Sequence, residues 1–193
     1  MLQIVIVGVG GQGTLLASRI LGKVAALRGM DVKVSEVHGM SQRGGSVITH
    51  VRIGTQGETV YAPLVEPGCA DFVLSFEALE AYRALPYLKK DGRIVTGDQQ
   101  ILPMPVITGA ASYPTDAIER AQKQVLVSSC DALELAKQCG SLRSANVVLI
   151  GVLSHFLPFE KDDMLKAVTA CVPPKTVSVN VEAFEKGYAL AAQ

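Results

Sequence analysis

The sequence lacks closely spaced cysteines and is poor in histidine. Its four cysteines form no C-x-x-C pair, and 193 residues include only three histidines. An iron–sulfur cluster needs several thiolates, which are usually supplied by short spacings. The pattern therefore predicts that this chain holds no metal, and that its cysteines are ordinary buried thiols in a reducing compartment.

Net charge and long apolar runs are also missing. Lys plus Arg and Asp plus Glu each number 18, so nothing favours nucleic acid or an anionic membrane as a partner. No run approaches the roughly 18 apolar residues of a membrane helix. The apolar start, residues 1–7, has no basic segment and is followed by glycines, so we interpret it as a buried strand and not as a signal peptide. The expected compartment is the cytoplasm.

The sequence does contain enough apolar residues for a core. Hydrophobic residues make up 49% and charged residues 19%, which is typical of a folded protein. Short apolar runs alternate with segments of helical spacing, as in a sheet covered on both faces. We predict one domain over residues 1–193, with a Rossmann-like, doubly wound α/β fold and a mostly parallel sheet. The predicted core strands are 3–7, 32–34, 72–74, 92–96 and 125–127.

An insertion and a tail depart from this alternation. Residues 47–53 alternate between two faces, which predicts a strand with one face exposed. A turn at 54–57 then leads to 59–61, and together these segments predict a β-hairpin insertion. After Ser144 the pattern is mainly helical, which predicts a helical C-terminal tail.

Local signals mark several boundaries in the second half of the chain. Residues 98–114 hold three prolines and are interpreted as a connection with a short strand at 106–107. Asp131 is predicted to cap the N-terminus of a helix, and Glu77 to stabilise another helix at the same end.

A glycine-rich turn follows the first strand. Gly8, Gly10 and Gly13 fit G-x-G-x-x-G, a pattern that permits a tight turn, close approach of a ligand and packing of the following helix. Glu36 lies about 20 residues further on, where an acid would bind a ribose. The turn thus suits a dinucleotide, although the glycines also serve a purely structural turn. A phosphate-binding P-loop is excluded because Thr14 and Leu15 follow, with no lysine.

The loop behind the second strand supplies a second set of anion-binding groups. Arg43 carries a planar fork of donors, Gly44 and Gly45 suit a backbone nest, and Ser41 adds a hydroxyl. Alternatively, Arg43 pairs with an acid such as Glu36 and only shapes the loop. Both loops follow strands of a parallel sheet, so we expect them to line one crevice. The candidate binding residues are Gly8, Gly10, Gly11, Gln12, Gly13, Ser41, Arg43, Gly44 and Gly45; no catalytic residue is assigned.

Three segments together resemble one family. The first is the glycine turn 10–13, and the second is the string His-Gly-Met-Ser-Gln-Arg-Gly-Gly-Ser at 38–46. The third lies near the C-terminus and has two parts: Asn146 with residues 149–151, and residues 180–188. This combination resembles the gamma subunit of pyruvate and other 2-oxoacid:ferredoxin oxidoreductases over nearly the whole chain. The string at 38–46 is similar to the small, beta subunit of the indolepyruvate type in particular.

The resemblance implies a subunit that is inactive alone. The partner chain of that family carries thiamine diphosphate, Mg²⁺ and iron–sulfur clusters, and coenzyme A is a co-substrate. A 2-oxoacid, here expected to be an aryl pyruvate, reacts with coenzyme A and oxidised ferredoxin to give an acyl-CoA, carbon dioxide and reduced ferredoxin. The loop residues would contact coenzyme A phosphates or help enclose the 2-oxoacid.

Two other classes of function remain open from the sequence. The first is a free-standing oxidoreductase that binds NAD or FAD through the glycine turn and Glu36. The second is a stand-alone binding module that has the fold without the complex.

Overall fold

The structure, a computed structural model, describes residues 1–39, 44–55 and 57–192. Its sheet has six strands: β1 (Leu2–Val9), β2 (Val32–His38), β3 (Ser46–Ile53), β4 (Ala70–Ser75), β5 (Leu88–Gly97) and β6 (Leu126–Cys130). They lie in the order β2-β3-β1-β4-β5-β6. The pairs β1–β4, β4–β5 and β5–β6 are parallel, whereas β3 is antiparallel to both its neighbours. The predicted mostly parallel α/β sheet is confirmed.

Helices cover both faces of the sheet. The described helices are α1 (Thr14–Leu27), α2 (Ala78–Arg83), α3 (Met104–Ile107), α4 (Ala117–Gln122), α5 (Ala132–Gln138), α6 (Ala145–Ser154), α7 (Lys161–Cys171) and α8 (Val177–Ala191). Along β1, Ile4 and Ile6 join the core formed with α1, α6, α7 and α8, while Val5 and Val7 join the core on the α2 side. Burial on both faces explains why β1 is a continuous apolar run. No helix of the described residues is both long enough and apolar enough to span a membrane.

The strand β3 corrects one prediction from the sequence. It is an interior strand, and its second face is partly covered, since His50 there is only 5% exposed. The segment 59–61 is not a strand, so the predicted hairpin arm is wrong. Instead, the Val60 amide donates to the Asp31 carboxylate at 2.8 Å, and the antiparallel partners of β3 are β2 and β1.

A second correction concerns residues 106–107, which lie in α3 and not in a strand. Pro103 is the N-cap of this short helix and Pro105 lies in its first turn. Proline fits there because the first N–H groups of a helix have no acceptor within it. The proline-rich segment therefore begins a helical turn where the apolar pair suggested a strand.

The predicted helical tail is confirmed, and the packing of α6 against α8 within it depends on glycine. A Cβ on Gly187 of α8 would lie 1.9 Å from the Val148 oxygen, and one on Gly151 of α6 would lie 2.2 Å from the Phe184 oxygen. Reciprocal glycines thus let α6 and α8 cross with their backbones in contact. Of this pair, α6 contributes Ala145, Asn146 and Leu149 to the lining of the crevice described next.

Candidate ligand-binding crevice

A cavity of about 420 Å³ lies at the carboxyl ends of β1, β4 and β5. From β1 the chain passes through α1 towards β2, and from β4 it passes through α2 to β5 on the other side. The cavity is therefore at the point where the strand order reverses, the usual ligand position in such sheets. Its lining residues are Gly11, Gln12, Gly13, Phe76, Gly97, Asp98, Gln99, Ala132, Leu133, Leu142, Arg143, Ala145, Asn146 and Leu149.

The Gln12 side chain ties three strand ends together beneath this cavity. Its Nε2 donates to the Phe76 oxygen at 2.9 Å and to Gln99 Oε1 at 3.0 Å, and its Oε1 accepts from the Val9 amide at 2.7 Å. A Cβ on Gly8 would lie 3.0 Å from the same Oε1. The glutamine that the general fingerprint does not require is thus a crosslink between the ends of β1, β4 and β5.

The last glycine of the turn makes room for a side chain of α6. Gly13 is the N-cap of α1 with φ of +93°, a backbone conformation that favours glycine. A Cβ there would lie 2.1 Å from Asn146 Nδ2. Asn146 is 6% exposed, and its Oδ1 has no hydrogen-bond partner among the described residues. Asn146 therefore fills the space beside Gly13, and its buried Oδ1 is left without a hydrogen bond.

Charged groups lie at the rim of the cavity. Arg143 is exposed in the 3-10 turn that precedes α6, and Asp98 follows β5 directly. Partial burial and the nearby Asp131 carboxylate raise the pKa of Asp98 above its ordinary value. Burial, together with these two carboxylates, raises the pKa of the Cys130 thiol to about 12. Cys130 is therefore protonated at neutral pH and is a poor nucleophile.

The structure separates the two loops that the sequence analysis assigned to one crevice. Gly44 and Gly45 line another cavity, of about 700 Å³, between α2 and the segment 102–114. The loops still touch, because the Gly10 amide donates to the Gly45 oxygen at 2.9 Å. The candidates Ser41 and Arg43 lie outside the described residues.

Two buried carboxylates hold the walls of this second cavity. Glu77 accepts from the Glu80 amide at 2.8 Å and from the Ile101 amide at 3.1 Å, and the Tyr113 hydroxyl also donates to it. Burial and Glu77 raise the pKa of Tyr113. Glu80 accepts from the Ser46 hydroxyl at 2.6 Å. Glu77 is thus the N-cap of α2, as predicted, and it also fastens the 98–114 segment over the sheet.

Glu36 does not occupy the position of a ribose-binding acid. Its Oε2 accepts from the Thr49 hydroxyl at 3.2 Å and from the Thr14 hydroxyl at 3.4 Å. Because β3 lies between β1 and β2, Glu36 projects from a strand that is not a neighbour of β1, and it does not line the crevice. The dinucleotide interpretation is therefore not favoured.

The sequence analysis did not assign Asp98, Arg143 or Asn146 to the site, although Asn146 belongs to one of the segments that carry the family resemblance. Asp98 ends a predicted parallel strand, which was a usable signal. Arg143 and Asn146 lie more than 120 residues beyond the glycine turn, and no local pattern links them to it. The described residues contain no group of three potential metal ligands, and the four cysteines are free. The cysteines are therefore not arranged to ligate an iron–sulfur cluster within the described residues.

Comparisons with known proteins place these features in context. The family model described as pyruvate ferredoxin/flavodoxin oxidoreductase matches residues 3–190. The indolepyruvate oxidoreductase subunit IorB of Thermococcus kodakarensis is 44% identical over 99% of this chain and 96% of its own, and that of Pyrococcus horikoshii is 43% identical over the same shares. The crystal structure of a keto/oxoacid ferredoxin oxidoreductase gamma subunit from Geobacter sulfurreducens is 22% identical, with a TM-score of 0.74 over 100% of this chain and 99% of that one.

Proposed function

The chain belongs to the pyruvate ferredoxin/flavodoxin oxidoreductase family, and we propose that it is the small subunit of an enzyme that oxidises aryl pyruvates. As a member, it is a subunit of an oxidoreductase complex. The observation that carries the choice of substrate is the identity of 44% to an indolepyruvate oxidoreductase subunit, which extends over almost the full length of both chains. A 2-oxoacid, coenzyme A and oxidised ferredoxin would give an acyl-CoA, carbon dioxide and reduced ferredoxin.

Within that complex, a large partner subunit would hold thiamine diphosphate, Mg²⁺ and the iron–sulfur clusters, and ferredoxin would dock on the complex. The arrangement of this chain supports the division, since its described residues bring no three His, Cys, Asp or Glu side chains together, as the ligation of a cluster would require. Assembly would take place in the cytoplasm.

The glycine loops are the part of this subunit that would face the active site of the partner. Gly44 and Gly45 border the 700 Å³ cavity, and the Glu80–Ser46 hydrogen bond holds their end of the loop in place. With Ser41 and Arg43 the loop would present a guanidinium, a hydroxyl and backbone N–H groups to an anion. Its ligand would be a phosphate of coenzyme A or the carboxylate of the 2-oxoacid.

Reconstitution with the large subunit tests the function as a whole. The complex is expected to reduce ferredoxin with indolepyruvate and coenzyme A, and to do so faster than with pyruvate or 2-oxoglutarate. The isolated chain is expected to be colourless and inactive. Oxidation of a keto acid by the 193-residue chain alone, or a preference for 2-oxoglutarate in the complex, would contradict the proposal.

The role of the loop is tested separately in the assembled enzyme. Arg43→Ala is expected to raise the apparent KM for coenzyme A or for the 2-oxoacid by about tenfold, because a charge-assisted hydrogen bond is lost. Arg120→Ala is the control, since Arg120 is exposed and pairs with Asp116 on α4. Unchanged turnover and unchanged KM for both substrates in Arg43→Ala would remove the ligand contact and leave the subunit assignment intact.

A further inference from the structure

The segment that borders the second cavity is apolar, yet none of it is buried. Residues 101–107, which include α3, are all apolar, and no residue of the segment 98–116 is buried in this chain. Met104 and Ile107 of α3 are 65% and 62% exposed. A contiguous exposed apolar patch commonly marks a site of interaction with another molecule.

Both ends of this segment are fastened by a buried acid. Glu77, which is only 1% exposed, accepts from the Ile101 amide at 3.1 Å, and the Tyr113 hydroxyl also donates to it. Next to the first of these anchors, the Ala78 amide donates to the Gln99 oxygen at 2.9 Å. Residues 101–107, which we call the apolar bridge, are therefore held in a fixed position with their side chains exposed.

The cavity beside the apolar bridge suits an apolar group. Among the described residues that line it, the only charged side chain is Arg83, and its guanidinium donates to the Glu80 carboxylate at 2.8 Å. Because this charge is neutralised within the chain, the cavity does not favour a free ion. A small apolar ligand would fill the cavity but leave Met104 and Ile107 exposed, whereas a protein surface covers both.

The neighbouring glycine loop indicates which protein covers this surface. Gly44 and Gly45 border the same cavity as the apolar bridge, and under the proposed function their loop faces the active site of the large subunit. A chain that reaches the loop must also pass over the cavity. A second copy of this chain in that position would keep the large subunit away from the loop.

We propose that the apolar bridge and the 700 Å³ cavity are a docking surface for the large subunit, which inserts an apolar segment into the cavity and covers Met104 and Ile107. The identity of the partner rests on the proposed function, whereas the location rests on the unburied α3. A centre that is poor in charge and contains methionine is typical of protein–protein interfaces.

Calorimetric titration of the full chain with the separately purified large subunit tests this surface. The double variant Met104→Glu/Ile107→Glu should weaken the association by about a hundredfold, because two carboxylates would be desolvated in an apolar interface. Leu126→Glu is the matched control and should leave the affinity unchanged. Leu126 is also exposed, but it pairs with Arg93 at the amino end of β6, whereas the bridge follows the carboxyl end of β5. Circular dichroism and urea midpoints check that both variants fold.

The titrations distinguish the docking surface from the function. Equal affinity of the double variant and the parent would refute the surface, and so would equal losses in the double variant and the control. A dimer of the isolated chain that dissociates in the double variant, seen by sedimentation velocity, would assign the surface to a second copy and also refute the proposal. The titration contains no 2-oxoacid, so a complex that assembles as expected but prefers 2-oxoglutarate would contradict the proposed substrate and leave the docking surface standing.

Discussion

Replacement of Gly187 by alanine should destabilise the protein, although alanine is the better helix former. The added Cβ would lie 1.9 Å from the Val148 oxygen and 2.8 Å from the Val148 carbonyl carbon. Both are backbone atoms in α6, so no side chain can rotate away. The helices α6 and α8 would have to move apart, which would loosen the core that contains the fully buried Phe184 of α8.

The two opposing effects of Gly187→Ala have different sizes. Alanine in place of glycine favours a helix by about 1 kcal/mol. Overpacking of a core costs about 1–3 kcal/mol, and contact between two backbones puts this site at the upper end. The free energy of unfolding should therefore fall by about 2 kcal/mol. If the contact were unimportant, the same substitution would raise it.

Urea denaturation followed by circular dichroism measures the difference. Gly22→Ala is the matched control, because Gly22 lies within α1 and a Cβ there would meet nothing within 4 Å. This control should be stabilised by about 1 kcal/mol through helix propensity alone. A Gly187→Ala variant that unfolds at the same or a higher urea concentration than the parent, with the same m-value, would refute the close-contact reasoning.

Three further predictions concern the hydrogen bonds and the thiol near the cavities. Tyr113→Phe removes a donor to the buried Glu77 carboxylate and should lower the free energy of unfolding by about 1.5–3 kcal/mol; Tyr61→Phe, at a side chain that is 92% exposed, should leave it unchanged in the same urea titration. Gln12→Ala leaves the Val9 amide without its acceptor and should cost about 1–3 kcal/mol, measured by thermal unfolding. Cys130, with a pKa of about 12, should be alkylated by iodoacetamide at pH 8 at least tenfold more slowly in the folded chain than in urea, and equal rates by mass spectrometry would contradict its burial.

The fold was largely predictable because the buried faces of strands and helices produce a regular spacing of apolar residues in the sequence. Apolar runs located β1, β4 and β5, and Asp131 marked the start of α5, where its carboxylate accepts from the Glu134 amide at 2.8 Å. The position of β3 was not predictable in this way. Alternation does not tell which strands are neighbours, and in β3 it did not reveal that His50 on the second face is buried, because β3 lies inside the sheet between β1 and β2.

The candidate site was only partly predictable for a related reason. The glycine turn was found because its requirement is local, but the side chain that approaches Gly13 comes from Asn146 on α6. Likewise, the loops after β1 and β2 were expected to line one crevice, whereas they border different cavities, Gly13 one and Gly44 another. Contacts between distant segments decide which cavity a loop residue lines.

These contacts also change what the glycine fingerprint means in this protein. Gly8 is approached by Gln12, Gly13 is approached by Asn146, and the Gly10 amide is bonded to the Gly45 oxygen. Three of the glycines that would admit a pyrophosphate in a dinucleotide enzyme are thus used by the protein itself. Gly11 differs, because it has φ of +103°, lines the crevice and would have nothing within 4 Å of an added Cβ. If a ligand approaches the backbone of this turn, it does so at Gly11, the glycine that the general fingerprint leaves unspecified.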